Sequence, residues 1–230
     1  MAFACHYPYA WSTSVAAEGC KTVLGECLAR GRDGAPRCQV WLLRHGRSQA
    51  NDAGLIVSRP EVAVDHYGLT RDGRQEVRNS LILVKEQGLL HGVTSLYTSP
   101  FLRATETSAI AAEVLGLAGF GGDDRLRERC FGQMEMTADT NYERVWAEDA
   151  EDPDHTRWGV EAATAVLKRA ESLVCEAVRA PVGGGGVLLV THGDVASVLL
   201  CAAAGRDLRC HHLAYGLTTA ELRRLGWLQG

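Results

Sequence analysis

The sequence lacks features that mark three large classes of protein. No apolar run approaches the roughly 18 residues of a membrane-spanning helix. The 8 cysteines include no Cys-x-x-Cys pair, the spacing that is typical of zinc sites and thioredoxin-like motifs. The formal net charge is -4, whereas a general nucleic-acid-binding protein needs a basic surface. We therefore expect neither a membrane nor a nucleic acid as a partner, and no metal site built from these cysteines.

The N-terminus also lacks a secretory signal. Residues 1–10 contain neither a basic segment nor a long apolar segment. Residues 1–37 contain small, hydroxyl and basic side chains, as transit peptides do, but also acidic ones, which transit peptides avoid. The expected location is the cytoplasm, with targeting to an organelle left open. The cysteines are accordingly expected to be reduced thiols.

What the sequence does contain is the composition of an ordinary globular protein. With 46% apolar and 23% charged residues in 230, the chain can bury a substantial core. Residues 1–37 show no clear strand pattern, although 15–30 could form a helix. We expect this N-terminal extension to pack on the core domain or to be partly disordered, and residues 38–230 to form one domain.

Strand and helix patterns alternate along this domain. Predicted strands cover 38–43, 95–98 and 187–191, with a last one near 218–222. Predicted helices cover 71–88, 101–115, 160–179 and 194–204, with short helical pieces around 142–148. Thr70 suits the N-cap of the first helix, and Ser99-Pro100 would give the second an N-cap followed by a proline. This order predicts an α/β fold, a three-layer α/β/α sandwich around a mostly parallel central sheet.

The first predicted strand ends in Arg44-His45-Gly46. Ligands of open α/β sheets bind at the carboxyl ends of the strands, so these side chains are placed where a site is expected. Arginine offers a planar fork of donors for phosphate oxygens, and histidine can be a neutral nucleophile near neutral pH. Gly46 would let the backbone approach a ligand or adopt a positive φ.

A second stretch repeats this pattern about 150 residues later. The strand over 187–191 ends in Thr191-His192-Gly193, and a helix is expected to begin at once. The first N–H groups of that helix would point at the same edge of the sheet and favour an anion there. His45 and His192 are therefore expected to meet in one site.

Four segments together resemble the histidine phosphatase superfamily, also called the phosphoglycerate mutase-like family. They follow the family's order over about residues 38–225, which would make 38–230 a catalytic domain. The segments are Leu42-Leu43-Arg44-His45-Gly46 with Ser48 and Asn51, Thr98–Thr107, Leu126-Arg127-Glu128-Arg129-Cys130-Phe131-Gly132, and Val190-Thr191-His192-Gly193.

The resemblance implies a role for each matched residue. His45 would attack phosphorus and become phosphohistidine, and Glu128 would protonate the leaving oxygen and then activate water. Positive charge from arginine and histidine side chains would replace a metal, and no cofactor is implied. The residues implied in phosphoryl binding are Arg44, Asn51, Arg103, His192 and Gly193.

The same comparison leaves the function open between a phosphatase, a phosphoglycerate mutase and a catalytically silent phosphate-binding or scaffold protein. The short segment before the last motif and the follow-on Asp194-Val195-Ala196-Ser197 favour a metal-independent phosphatase over a mutase. Met136 stands where the family commonly has Gly, which motivates the silent alternative. The substrate would be a small phosphorylated metabolite or a phosphoprotein, and the oligomeric state is not indicated.

Three further expectations concern side chains near these motifs. Arg47 could add positive charge near the substrate. His211-His212 is expected to form a surface turn, because no third metal ligand stands nearby in the sequence. His155 lies in a polar segment and suggests no role.

Overall fold

The computed structural model describes residues 23–28, 38–179 and 185–225. Its strands are β1 (Val40–Arg44), β2 (Val93–Thr98), β3 (Gly121–Gly122), β4 (Gly186–Thr191) and β5 (Leu222–Leu225). Its α-helices are α1 (Val23–Leu28), α2 (Gln49–Ala53), α3 (Pro60–Ala63), α4 (Arg71–Glu86), α5 (Leu102–Leu115), α6 (Tyr142–Glu151), α7 (Ala163–Arg179), α8 (Gly193–Ala203) and α9 (His211–Tyr215).

The five strands form one sheet in the order β3-β2-β4-β1-β5. All neighbouring pairs are parallel except β1 and β5, which are antiparallel. Arg44 at the end of β1 pairs with Thr191 at the end of β4. The residues that follow the two strands therefore leave the sheet side by side, which confirms the predicted mostly parallel sheet and its shared edge.

Both faces of the sheet are covered by helices. Leu42 and Leu189 point into a core shared with α7 and α8. Leu43 and Val190, the next residues along the same strands, point into a second core shared with α4 and α5. Strands that are buried on both faces read as continuous apolar runs, which is how β1 and β4 are recognised in the sequence. The three-layer α/β/α prediction is confirmed.

Several element ends differ from the sequence prediction. Thr70 caps α4 as expected, since its hydroxyl accepts from Gly73 N at 2.9 Å. Ser99 does not cap α5: the N-cap is Phe101, without a side-chain hydrogen bond, and Ser99 Oγ lies against His192 instead. The last strand lies at Leu222–Leu225 rather than near 218–222.

A disulfide joins Cys27 in α1 to Cys175 in α7, with the Cα atoms 5.4 Å apart. The prediction that the cysteines are reduced thiols is therefore wrong for this pair. Their separation of 148 residues gives no pairing signal in the sequence, because only the packing of α1 on α7 brings them together. The other described cysteines, Cys38, Cys130, Cys201 and Cys210, are free.

Two earlier predictions fall partly or wholly beyond the described ranges. Of the helix predicted over 15–30, the structure describes the part in α1, and the packing or disorder of the rest of the extension stays a prediction. The glycine-rich connection before β4 is described only from Gly185 onward. Among the described helices, none has both the length and the apolar character needed to cross a bilayer.

Candidate active site

The two histidines predicted to meet do so at the shared edge of β1 and β4. Their ring centroids lie 5.1 Å apart in a T-shaped arrangement. His45 is 3% exposed and His192 is fully buried. Two imidazoles buried side by side at a strand edge form the centre of a candidate active site.

The hydrogen bonds of His45 fix the orientation of its ring. Its Nδ1 lies 2.8 Å from the Gly46 carbonyl, which can only accept, so Nδ1 carries the proton. Its Nε2 then accepts from Arg103 Nε at 3.1 Å. Burial, with the positive charges of Arg103 and Arg44, holds the pKa of His45 well below its usual value. The ring is therefore neutral, with the lone pair of Nε2 directed into the site.

His192 is held by a hydroxyl group. Its Nε2 lies 2.8 Å from Ser99 Oγ, which also accepts from Phe101 N at 3.3 Å. A serine hydroxyl that accepts from a backbone N–H can donate its own hydrogen to His192 Nε2, and this tautomer puts the ring proton on Nδ1. His192 Nδ1 is buried and has no hydrogen-bond partner among the residues that the structure describes. Burial, followed by the charge of Arg103, lowers the pKa of this ring as well.

Both predicted arginines have nitrogen donors that no described residue satisfies. Arg103 Nη2 donates to the Val57 carbonyl at 2.9 Å, while Arg103 Nη1 is buried without a partner in the described part of the chain. Arg44 Nη1 donates to the Leu217 carbonyl at 2.5 Å, while Arg44 Nε is likewise buried and unpaired among these residues. Buried donors are normally satisfied, so unpaired ones around a neutral imidazole are a constellation suited to an anion.

Asn51 and Gly193 complete the predicted anion-binding set. Asn51 Oδ1 accepts from Ser48 N at 3.0 Å and from Ser48 Oγ at 2.9 Å, which leaves its amide N–H groups for the cavity. Gly193 opens α8, and a Cβ at this position would lie 3.3 Å from Arg44 Cζ. A side chain here would crowd the guanidinium, so glycine lets Arg44 lie against the start of the helix.

Glu128 lines the same cavity and is 6% exposed. Burial, followed by the nearby charge of Asp194, raises the pKa of its carboxyl to about 7, against the opposing effect of Arg103. Glu128 Oε1 accepts from Arg129 N at 3.0 Å, which orients the carboxyl. A carboxyl that still carries its proton near neutral pH can serve as a general acid.

The cavity at this site has a volume of about 260 Å³. All the predicted site residues line it except His192, which lies behind it against His45: Arg44, His45, Asn51, Arg103, Glu128 and Gly193. Part of its wall is an aromatic stack. Trp146 lies between Tyr142 and His212, with centroids 5.4 and 5.3 Å from theirs and ring planes within 12°. Among the described residues, no cluster of three or more His, Cys, Asp or Glu side chains could hold a metal ion.

The model of the histidine phosphatase superfamily, branch 1, matches residues 40–230. The chain belongs to this superfamily. A search of curated protein sequences found no significant match. Three solved structures that resemble this superfamily member are 21–23% identical to it, so they support the fold alone.

These three solved structures illustrate the likeness. A mycobacterial glucosyl-3-phosphoglycerate phosphatase has a TM-score of 0.67 at 21% identity, over 82% of this chain and 89% of that one. A structure described as mycobacterial hydrolase 2 has a TM-score of 0.66 at 23% identity, over 84% of each chain. The α-ribazole phosphatase from Shigella flexneri has a TM-score of 0.62 at 21% identity, over 81% and 89% of the two chains.

Sequence reasoning missed a buried polar network behind the site of this histidine phosphatase superfamily member. Arg129 is fully buried and binds Asp149 with both terminal nitrogens, at 2.6 and 2.8 Å, and Asp194 at 3.1 Å. Asp194 also accepts from Trp146 Nε1 at 2.9 Å. The network therefore holds one aromatic ring of the cavity wall.

Two histidine predictions fail because of this network. His211 is fully buried and does not lie in a surface turn: its ring bonds to Asp149 at 3.3 Å and to Ser197 Oγ at 3.0 Å. His155, predicted to have no role, is buried and bonds to Asp149 at 2.9 Å. Both rings are buried because they form hydrogen bonds to the Asp149 carboxylate, and a buried charge must be hydrogen-bonded.

Gly46 is needed for a different reason from the one expected. Its φ is not positive, and a Cβ here would lie 2.4 Å from Val77 Cγ2 and 2.7 Å from the Gly73 carbonyl. The glycine therefore lets the turn after β1 rest on α4 rather than on a ligand. Arg47 is exposed and forms an ion pair with Asp52. The positive charge that was expected near the substrate is therefore paired on the surface.

Met136 occupies a left-handed backbone conformation, with φ of 59°. Such a φ costs a non-glycine residue roughly 1–2 kcal/mol, which explains why glycine suits this position in the family. Its side chain is 44% exposed, and Met136 is not among the residues that line the cavity. Its departure from the family pattern therefore leaves the constellation of predicted site residues in place.

Proposed function

We propose that this protein is a phosphomonoesterase that forms a phosphohistidine on His45 and needs no metal. The observation that carries the proposal is the set of unpaired buried donors around the lone pair of His45. Arg44 Nε, Arg103 Nη1 and His192 Nδ1 have no hydrogen-bond partner among the described residues, and they belong to side chains that neighbour the neutral His45. Donors arranged in this way would stabilise the charge that spreads over phosphoryl oxygens in transfer.

The first step follows from the hydrogen bonds of the site. A phosphoryl oxygen would take over the hydrogen bond that Arg103 Nε gives to His45 Nε2, which frees the lone pair. The Nε2–P bond then forms as the P–O bond to the leaving group breaks. The Glu128 carboxyl gives its proton to the departing oxygen, so the product leaves as an alcohol.

The second step regenerates the enzyme. Glu128, now a carboxylate, takes a proton from water as the water oxygen attacks phosphorus. The P–N bond breaks, inorganic phosphate leaves, and His45 returns to its neutral form with the proton still on Nδ1. Covalent catalysis of this kind divides one difficult displacement into two easier ones.

A small phosphorylated metabolite is the substrate class we propose. The cavity of about 260 Å³ lies near the lower end of the range for small-molecule sites. Two of the structural neighbours are named as phosphatases of small metabolites, glucosyl-3-phosphoglycerate and α-ribazole phosphate esters. A phosphoprotein would have to present its phosphate at the end of a side chain narrow enough to enter.

The test is trapping of the phosphoenzyme. Brief incubation with a ³²P-labelled phosphoester should leave label on the protein that is labile in acid and stable in alkali. His45→Ala should lose both label and turnover, whereas His66→Ala, which changes an exposed histidine away from the site, should keep both. Absence of label and turnover over a broad phosphoester panel would contradict the proposal.

Assays on the same purified protein distinguish the phosphatase from the mutase and from the silent protein. A phosphoglycerate mutase would be strongly stimulated by a bisphosphoglycerate primer, and a silent protein would bind phosphate without turnover. Arg44, His45, Arg103 and Glu128 line one cavity, and His192 lies against His45, which favours an active enzyme over the silent alternative.

A further inference from the structure

Positive charge in the cavity is confined to the part that would hold the phosphoryl group. Of the described residues that line it, only Arg44 and Arg103 carry a cationic side chain, and both act on His45. The one other candidate, His212, has its pKa lowered by burial and by His211. Its unpaired Nδ1 therefore offers a neutral hydrogen-bonding atom and not a charge.

The arginines on adjoining segments are engaged elsewhere. Arg47 pairs with Asp52. Arg59 donates to the Gly132 carbonyl at 3.1 Å. Arg144 lies over the Trp158 ring, 5.1 Å from its centroid. None of the three lines the cavity, so a second anionic group on the substrate would find no guanidinium among the described residues.

Carboxylates line part of the cavity beyond the phosphoryl position. Asp139 is exposed at its rim, and none of the ion pairs found among the described residues includes it. Asp194 shares the single charge of Arg129 with Asp149, which takes two of the three hydrogen bonds. The field beyond the phosphoryl position is therefore negative, and it repels anions while attracting cations.

The remaining wall is apolar and aromatic. Trp146 lines the cavity and has both faces covered by Tyr142 and His212, so its ring meets the cavity by its edge. Ring edges carry partial positive charge and pack well against the face of another aromatic ring.

We propose that the cavity selects phosphomonoesters whose leaving group carries no second anion, and that it prefers an amine-bearing leaving group, with Asp139 as a specificity-determining residue. This inference rests on the proposed phosphatase activity. It distinguishes the protein from enzymes for phosphoglycerate-type substrates, whose leaving group bears a carboxylate.

The test compares three aryl phosphates that differ in the charge of one distal group. Tyramine phosphate carries an ammonium, p-tolyl phosphate is neutral, and 4-(phosphooxy)phenylacetate carries a carboxylate. We expect kcat/KM to fall in that order, with about tenfold or more between the cation and the anion at low ionic strength. Added salt should narrow the difference, because charges near the rim are screened.

Asp139→Asn should lower the preference for tyramine phosphate over the carboxylate ester by about threefold or more, and should change kcat/KM for p-tolyl phosphate less than for either charged ester. Asp139→Lys should reverse the order of the two charged esters. The matched control is Asp65→Asn, which removes an exposed carboxylate that does not line the cavity.

The outcomes separate the inference from the function on which it rests. Hydrolysis of all three esters at similar kcat/KM, or preference for the carboxylate ester, overturns the inference and leaves the phosphatase activity standing. An unchanged preference in Asp139→Asn overturns the role of that residue. Failure to hydrolyse any of the three, with turnover of other phosphoesters in the broad panel, overturns the inference alone, whereas failure over the whole panel overturns the proposed function and this inference with it.

Discussion

Burial reverses the usual order in which a glutamic acid and a histidine titrate. The pKa of Glu128 is raised to about 7, while that of His45 is held well below its usual value. Between the two pKa values the carboxyl keeps its proton and the imidazole is neutral, with a free lone pair on Nε2. This is the pair of protonation states that the proposed first step requires, and it exists because both groups are withdrawn from water.

The alkaline side of the pH profile should therefore report Glu128. We expect kcat/KM for an alkyl phosphate to fall as pH rises through about 7, because the general acid is lost. Glu128→Gln should lower kcat/KM for this ester by roughly 10²–10⁴ and abolish the pH-dependent fall. The measurement is kcat/KM against pH for both proteins.

A second ester provides the control. p-Nitrophenol leaves without needing a proton, so Glu128→Gln should lower kcat/KM for p-nitrophenyl phosphate much less than for the alkyl ester. Glu61→Gln changes an exposed acid outside the cavity and should leave both profiles intact. Equal losses for the two esters in Glu128→Gln would argue against proton donation by this residue.

Single side chains also show how far the sequence could predict the site. His45 and His192 were predictable because each directly follows an apolar strand that ends at the shared edge. The Arg129 network was not, since its carboxylates lie 20 and 65 residues away and no local pattern announces them. Ser99 was predicted to cap a helix. Its hydroxyl bonds to His192 Nε2 instead, because leaving a buried imidazole nitrogen unpaired would cost more free energy than leaving a helix end uncapped.

Among the elements, the contact of α4 with the turn after β1 positions the nucleophile. Gly73 in the first turn of the helix lies under Arg47, where a Cβ would stand 2.0 Å from the Arg47 carbonyl oxygen. Gly46 meets the same helix from the other side. The turn that carries His45 therefore rests directly on the helix backbone, with no side chain between.

Gly73→Ala should disturb both stability and activity. The added methyl group cannot fit without moving backbone, so we expect a loss of about 2–3 kcal/mol in the free energy of unfolding. The displaced turn should also lower kcat at least tenfold in protein that is still folded. Urea unfolding and initial rates measure the two effects.

Gly119→Ala is the matched control, because nothing lies within 4 Å of a Cβ there and its φ is not positive. It should change neither quantity appreciably. Gly73→Ala with unaltered stability and kcat would show that the turn and α4 can separate without consequence.

The element boundaries that sequence reasoning misplaced share a physical cause. The last strand, Leu222-Arg223-Arg224-Leu225, pairs only with β1 in the described sheet and carries two arginines. Charged residues protect an edge strand from pairing with other chains but erase the apolar pattern by which strands are recognised. The central strands β1 and β4 are apolar throughout or nearly so, and the predicted bounds of both lie within two residues of the observed ones.

On the scale of the whole molecule, the Cys27–Cys175 disulfide ties α1 to the layer formed by α7 and α8. Leu24 is fully buried in the same core, so the covalent link and apolar packing act on one helix. The cytoplasmic location stays a prediction, and the pair is the feature of the chain most directly affected by the redox conditions of its compartment.

Cys27→Ser should destabilise the protein by about 2–4 kcal/mol, because a cross-link over a long loop limits the unfolded chain. Unfolding midpoints in urea, with and without dithiothreitol, measure the effect. The reductant should lower the midpoint of the original protein towards that of Cys27→Ser and leave the variant unchanged. Cys130→Ser, which changes a free cysteine, should behave like the original protein; identical midpoints under oxidising and reducing conditions would contradict the prediction.

The same bond turns most of the polypeptide into a covalent ring. Residues 27–175 form this ring, and His192 stands outside it on the tail that follows. A protease that cuts once anywhere inside the ring would not release a fragment, and the band would keep its full mass on a gel run without thiol. The cut would become visible only after reduction, as two pieces, one of which carries His192.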